Sequence, residues 1–269
     1  MQLPPSNELK SIVKHYLFVE SNDDEHSCYR FFSDGNPGIV FHFATPLIQN
    51  NNTNTLEQLQ PGSFIYGQIT HYNNITLNGR LSMLVAVLQP FGIHALLGVA
   101  ASELNNAIVK LTDVFGQDAS DLEDQLLGAS SINQLISFFE RFLMKRLASV
   151  NQVDQNLKNA VNIIYQNRGM VSIEDLIKIL PVTERQLERK FNHYIGSSPK
   201  KFTDTIRFQF FLKSLQNISF DKSLTEIIYS CGFYDQAHLN KYFKINTGLT
   251  PMQYKSGYNP SVINFMRVQ

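Results

Sequence analysis

Arg185, Glu188 and Arg189 stand at i, i+3 and i+4, a spacing that puts three side chains on one face of a helix. Leu187 and Phe191, also i and i+4, take the opposite face and would be buried. Fifty-two residues further on the arrangement returns, with Leu239 and Phe243 as the apolar pair. There Gln236 with Asn240, and His238 with Lys241, project outward. Guanidinium, amide, imidazole and ammonium groups on a narrow helical stripe are side chains that reach base edges in a DNA major groove. One amphipathic helix would say little, because every surface helix has a polar face. Two at a fixed interval say more.

The elements that must position these side chains repeat with them. Thr183–Phe202 (TERQLERKFNHYIGSSPKKF) and Asp235–Tyr254 (DQAHLNKYFKINTGLTPMQY) match at Leu187/Leu239, Phe191/Phe243, Gly196/Gly248, Pro199/Pro251 and Phe202/Tyr254, always 52 residues apart. Each copy opens on an N-cap candidate, Thr183 or Asp235, stops at a glycine suited to a helix end, and restarts at Ser-Pro or Thr-Pro. Ahead of each lies another short helix, opened by the capping-box spacings Ser172–Asp175 and Ser223–Glu226. The spacing therefore predicts two helix-turn-helix units, 172–194 and 223–246, joined by a long helix over Pro199–Gln216. Two such helices can enter successive major grooves about 34 Å apart. Lys190, Lys200, Lys201 and Lys244 are candidates for phosphate contacts, and the helix N-termini at Ser198 and Thr250 could add backbone N–H donors.

Residues 155–257 resemble the DNA-binding domain of the AraC/XylS family of bacterial transcription regulators. The first unit carries L-x-x-x-F-x-x-x-x-G-x-S-P, and the second carries G-F-x-D-Q-x-x-L-x-x-x-F-K-x-x-x-G-x-T-P from Gly232 to Pro251. The resemblance implies base reading by Arg185, Glu188 and Arg189 in the first helix and by Gln236, Ala237, His238 and Lys241 in the second. Ala237 would offer only an apolar contact, for example to a thymine methyl. Two positions depart from the pattern. Pro181 stands in the first turn, where the family more often has glycine; proline cannot adopt φ > 0, so that turn must close differently. Phe211 stands in the long helix where a small residue is usual, which alters the packing between the units. The resemblance further implies a cupin-like effector-binding domain ahead of the reader, a homodimer contact in the helical region behind that domain, and contact with RNA polymerase.

Charge fits this division. The chain has 269 residues and no net charge, yet residues 155–269 carry 15 Lys and Arg against 8 Asp and Glu, which leaves 8 against 15 in residues 1–154. A basic half suggests a polyanionic partner, double-stranded DNA. Two cysteines, Cys28 and Cys231, make no disulfide framework and suit a reducing cytosol. The opening MQLPPSNELK has no basic region followed by an apolar core, so no secretion signal is expected. Leu81–Ser102 has no charged residue, but Gln89-Pro90-Phe91-Gly92 interrupts it; it reads as strand, turn and short helix rather than a membrane span. A cytoplasmic protein is expected.

The fold expected is α+β in two domains. Residues 1–150 hold an antiparallel β sandwich or barrel (β-rich over 12–90) followed by helices (99–147). Residues 155–257 hold the all-α double helix-turn-helix, and 258–269 form a tail. Strands are read over Ile12–Glu20, Cys28–Phe32, Ile39–Phe43, Ser63–Thr70, Ile75–Leu77 and Arg80–Leu88. Ser33–Gly38 suits a hairpin-like connection and Asn78-Gly79 is a hairpin signal. Ile132–Leu147 bears an apolar stripe of Leu135, Ile136, Phe139, Leu143 and Leu147, which could pack on the barrel or on a twin in a homodimer. Ala148–Gln155 is the expected linker. Aromatic pairs at i, i+2 put Tyr16 with Phe18, Phe41 with Phe43, and Phe64 with Tyr66 on common strand faces. These are core residues or the lining of an effector pocket, for which Tyr16, Phe18, Phe41, Phe43 and Tyr66 are the candidates.

Catalysis finds no foothold. His42, His71 and His94 are dispersed with no His-x-His pair, Cys28 has no CxxC partner, and neither a phosphate loop nor a Gly-x-Ser-x-Gly elbow occurs. No catalytic residue, metal or cofactor is expected. The expected function is a sequence-specific transcription regulator controlled by a small-molecule effector. A ligand-independent architectural DNA binder with a purely dimerising front domain, and a cupin enzyme fused to a DNA-binding domain, are the alternatives.

Overall fold

The computed structural model describes residues 1–21, 27–50, 57–147, 153–216, 224–233, 235–256 and 264–268. Nine strands fill its first third: β1 (Gln2–Leu3), β2 (Val13–Ser21), β3 (Ser27–Phe31), β4 (Gly38–His42), β5 (Ile48–Asn50), β6 (Glu57–Leu59), β7 (Ser63–Tyr66), β8 (Asn73–Leu77) and β9 (Leu81–Leu88). Next come α1 (Gly92–Leu97), a 3₁₀ turn (Ala101–Leu104), β10 (Ile108–Lys110), α2 (Leu111–Phe115), α3 (Gln117–Leu127) and α4 (Ile132–Leu147). The helical part runs through α5 (Gln155–Gln166), α6 (Ile173–Ile179), α7 (Glu184–Ile195), α8 (Pro199–Gln216), α9 (Leu224–Ser230), α10 (Gln236–Thr247) and α11 (Pro251–Ser256), before a last strand, β11 (Phe265–Val268).

The strands make two antiparallel sheets, in the order β1-β2-β9-β4-β7-β10 and β11-β3-β8-β5-β6. The alternation read from the sequence places six of these strands (β2, β3, β4, β7, β8 and β9), but two connections differ from expectation. β3 and β4 belong to different sheets, so Ser33–Gly38 is a crossing between layers and not a hairpin; β8 and β9 likewise part company at Asn78-Gly79. The reason is visible in β9, all eight residues of which are buried. Its Leu84, Ala86 and Leu88 face α4, and its Met83, Val85 and Val87 face the other sheet. A strand covered on both faces belongs in the middle of a sheet, where β2 and β4 flank it.

The stripe on α4 is turned inward. Phe139 meets Tyr16 and Phe41 edge-on, with ring centroids 6.0 and 5.3 Å apart, and Leu143 is fully buried with it. Intramolecular packing therefore takes the face that was the candidate for pairing with a twin.

Both helix-turn-helix units dock on the strand domain. Leu187, Phe191, Phe202 and Ile206 share one apolar cluster with the sheet and α4. Phe208, Phe211, Leu239, Phe243 and Tyr254 form a second, into which the strand domain sends Phe32. Phe211 is completely buried between Phe233 (5.6 Å) and Phe243 (6.3 Å), so the larger ring is the joint between the long helix and the second unit. α8 is buried on both sides because it serves both clusters. Its 18 residues span about 27 Å.

Two boundaries need correction. Residues 148–152 of the expected linker lie outside the described residues, but Val153 is already buried in the core and Asp154 caps α5 by accepting from the Leu157 N–H at 3.0 Å. The expected tail is a strand in part. β11 pairs with β3, putting Phe265 into the sandwich interior and Met266 into the second unit's core.

Candidate nucleic-acid interface and ligand cavity

The first recognition helix, α7, begins with a full capping box. Thr183 Oγ1 accepts from the Gln186 N–H (3.3 Å), and Gln186 Oε1 accepts from the Thr183 N–H (2.9 Å). Ser172 caps α6 through the Asp175 N–H at 3.1 Å. Between these helices Leu180 adopts an extended conformation (φ −104°, ψ 142°) and its carbonyl accepts from the Val182 N–H at 2.7 Å. The residue before a proline prefers that region, so Pro181 closes the turn without a positive φ. The second turn uses Gly232 at φ 71°, as the family pattern would have it.

With Leu187, Phe191, Leu239 and Phe243 all fully buried, the opposite faces are presented to solvent. Arg185 and Arg189 are exposed and Glu188 half-buried; Gln236, Ala237, Asn240 and Lys241 are exposed. The His238 side chain lies outside the described residues. Arg185, Glu188, Arg189 and Lys201 border one shallow groove, whose wall also includes Thr70 and Asn105 of the strand domain. The cap at Ser223 lies outside the described residues. Ser198 and Thr250 use their hydroxyls on the N–H groups of Lys201 (3.1 Å) and Gln253 (3.3 Å), and because Pro199 and Pro251 have no N–H, each helix start has at most the N–H of Lys200 or Met252 to offer an anion.

Among the phosphate candidates Lys200, Lys201 and Lys244 are exposed, but Lys190 is not available. Its ammonium lies 2.7 Å from Asp154 Oδ2, with only 19% of the side chain exposed. Although burial alone would raise it, the carboxyl of Asp154 is held low by Lys190 and by the Leu157 N–H. That pair ties α7 to α5, and sequence spacing cannot show it because the partners are 36 residues apart. Lys201→Ala should weaken binding to every DNA sequence and lower the slope of log K against log salt by about 1. Lys190→Ala should leave that slope unchanged.

The strand domain holds a cavity of about 450 Å³ between its sheets, within the range of small-molecule sites. Its inner wall is apolar, with Leu17, Val40, Phe64, Ile75, Val85 and Phe265 among the lining residues. Its other end is polar and shared between domains: Lys14, His15 and Asp34 meet Tyr165, Arg168 and Lys213. Lys14 Nζ lies 5.3 Å from the Tyr165 ring centroid and the Arg168 guanidinium 4.6 Å from that of Phe210. Lys14 keeps an exposed side chain, yet the protein packed around it desolvates its ammonium and pushes it below the ordinary lysine range; Asp34 pulls the other way, and Lys213 adds to the lowering. Asn264 Oδ1, on the same wall, is buried with no hydrogen-bond partner among the described residues.

Of the five aromatic residues expected to line an effector pocket, Tyr66 does. Tyr16, Phe18, Phe41 and Phe43 do not: they pack on the α4 side of the sheet. The i, i+2 rule put each pair on one face and could not tell which. Lys14, Arg168 and Lys213 were missed. Strand β2 carries a bulge between Val13 and His15, where Val13 opposes Leu88 and His15 opposes Val87, leaving Lys14 as the extra residue. Without the bulge Lys14 would share a face with Tyr16; with it, Lys14 joins His15 at the cavity. A lysine within an otherwise apolar strand, VKHYLFV, was the available signal.

His42 and His94 sit apart, the first against Gln60 Oε1 at 3.2 Å and the second against the Val99 carbonyl at 2.8 Å. Among the described residues no three His, Cys, Asp or Glu side chains gather as a metal site, and no helix is long and apolar enough to cross a membrane.

Comparison with known proteins agrees with this geometry. Residues 176–257 match the family described as "Helix-turn-helix domain", and residues 1–110 match "Domain of unknown function (DUF6597)". The lactose operon transcription activator of Staphylococcus xylosus is 22% identical over 168 residues, 62% of this chain and 60% of that protein. An uncharacterized HTH-type transcriptional regulator of Haemophilus influenzae is 31% identical over 106 residues, 38% of this chain and 34% of that one. The chain thus spans about a third to three fifths of the length of these curated relatives. ToxT from Vibrio cholerae shares the fold, with a TM-score of 0.51 at 11% identity over 90% of this chain and 97% of that one. ToxT bound to (E)-4-(8-methylnaphthalen-1-yl)but-3-enoic acid superposes with a TM-score of 0.50 at the same identity and coverage. The carboxy-terminal part is a helix-turn-helix domain, and its likeness to these transcription regulators supports the resemblance to the AraC family. The architecture around it is the two-domain fold also seen in ToxT.

Proposed function

We propose that this chain is a cytoplasmic, sequence-specific DNA-binding transcription regulator that reads two successive major grooves with α7 and α10 and responds to a small apolar carboxylate held between its sheets. The observation that carries the DNA reading is the pair of recognition helices. Each buries its Leu/Phe pair completely and leaves Arg185 and Arg189, or Gln236, Asn240 and Lys241, on an exposed face. Arg contacts guanine and Asn or Gln contacts adenine through paired hydrogen bonds, so both helices carry groups suited to base readout. Homodimer formation and contact with RNA polymerase belong to the same reading and rest on the resemblance alone. No catalytic step is part of it.

The cavity supports the ligand half of the proposal. Lys14, Arg168 and Lys213 outnumber Asp34 at its polar end, while most of the remaining wall is aliphatic and aromatic, interrupted by amides such as Gln49, Gln60 and Asn73. An anionic head on an apolar body meets both. ToxT has been seen with a naphthalene-bearing butenoic acid, a molecule of this chemistry. The polar end draws residues from both domains, so an occupant touches the DNA-binding domain directly, and this favours ligand control over a merely dimerising front domain.

Selection of bound fragments from random duplex DNA tests the DNA reading. The expected product is a bipartite motif whose half-sites lie about 10 base pairs apart, centre to centre. Recovery of no enriched motif would overturn it.

A further inference from the structure

Resting on that reading, we infer that Arg30 and Asn105 are positioning residues that fix the distance between the two recognition helices, and hence the half-site spacing the protein accepts. The two helices end alike. Gly196 and Gly248, equivalent in the 52-residue repeat, follow α7 and α10 with φ of 83° and 69°. At each of these ends the strand domain supplies one side-chain donor. Asn105 Nδ2 donates to the Gly196 carbonyl at 2.7 Å, and Arg30 Nη1 donates to the Thr247 carbonyl at 3.1 Å. Carbonyls at a helix C-terminus lack partners within the helix and form the negative end of its dipole, which suits an amide N–H and a guanidinium. The approach is close enough to require glycine. A Cβ on Gly196 would lie 2.5 Å from Asn105 Oδ1, and one on Gly248 would lie 2.6 Å from Arg30 Nη1.

The two donors are mounted on different sheets. Arg30 is on β3, aimed by Nε to Asn74 Oδ1 (2.9 Å) and by stacking over Tyr72 (4.6 Å). Asn105 lies between the 3₁₀ turn and β10 of the other sheet, and its neighbour Asn106 is tied to the Gln68 carbonyl at 2.9 Å. Each recognition helix is thus indexed to one layer of the sandwich. The cavity lies between those layers, and its wall includes Phe265, stacked on Tyr29 at 4.6 Å, next to the Met266 that pairs with Arg30. A change in the separation of the sheets is delivered to the two helix ends as a change in their relative position.

The test uses the full chain and DNAs in which the two selected half-sites are moved apart or together in single base-pair steps. Wild type should lose affinity about tenfold for a step of one base pair, the scale of one mismatched position. Arg30→Ala and Asn105→Asp should hold the same half-site bases but bind the displaced sites within about threefold of the best one. Asn105→Asp keeps the side-chain shape and removes the donor, so it carries the test if Arg30→Ala does not fold. A spacing profile identical to wild type in a folded variant overturns the inference, even if overall affinity falls. If wild type selects no bipartite motif, the functional reading fails first, and the two failures are told apart.

Discussion

Arg189→Ala combined with Lys241→Ala should reduce affinity for the selected operator by roughly 30-fold to 10⁴-fold, about 1–3 kcal/mol from each helix. The terms should add, because the residues belong to different units and share no partner. The folded state should be nearly indifferent. Both side chains are exposed, and surface substitutions of that kind change stability by about 0.5 kcal/mol or less. Each single variant should also relax preference at one base position, which separates base reading from phosphate contact. Electrophoretic mobility shift with the operator and a scrambled duplex measures both effects. An unchanged operator affinity in the double variant would show that these faces do not meet DNA. Glu188 is the useful contrast: half-buried beside two arginines, its carboxylate repels phosphate as well as accepting from a cytosine amine, so Glu188→Ala should trade specificity for general affinity.

The helical half was legible in the sequence because its signals are local. An i, i+4 apolar pair, a cap and a terminal glycine each act within a few residues, and the repeat showed them twice. The strand half was legible only in part. Alternation marks a strand and pairs its side chains by face, but the partner strand and the buried face are decided by contacts far along the chain. Ser33–Gly38 and Asn78-Gly79 have the composition of hairpins, yet each changes sheet, because β9 needs cover on both faces. The same limit left Tyr16, Phe18, Phe41 and Phe43 open between core and cavity lining, and they pack in or against the core. A one-residue bulge at Lys14 was beyond any period-2 reading, since a bulge is defined by the opposite strand. Asp154 and Lys190 pair across 36 residues, and β11 joins β3 across more than 230, so neither the ion pair that occupies Lys190 nor the strand within the expected tail shows in local spacing.

A carboxylic acid with a flat or flexible apolar body that fits about 450 Å³ should stabilise the protein against heat, while its amide or alcohol analogue should not. At a concentration 100 times its Kd, such a ligand adds about 2.7 kcal/mol, which for a chain of this size raises Tm by about 5–10 °C. Lys14→Met keeps the stem and removes the charge, so it should weaken the acid by about 1.5–3 kcal/mol, roughly 10- to 150-fold, without affecting the alcohol. The pH dependence follows from the direction of the Lys14 shift. In the empty cavity burial favours the neutral amine, whereas a bound carboxylate favours the ammonium, so binding takes up a proton once the pH exceeds the lowered value of the free site. Affinity should therefore be flat below that value and fall as pH rises through it, earlier than an ordinary lysine would allow. Equal binding of acid and alcohol, or equal binding by Lys14→Met, would mean that the charged end of the cavity belongs to the seam between domains and not to a ligand.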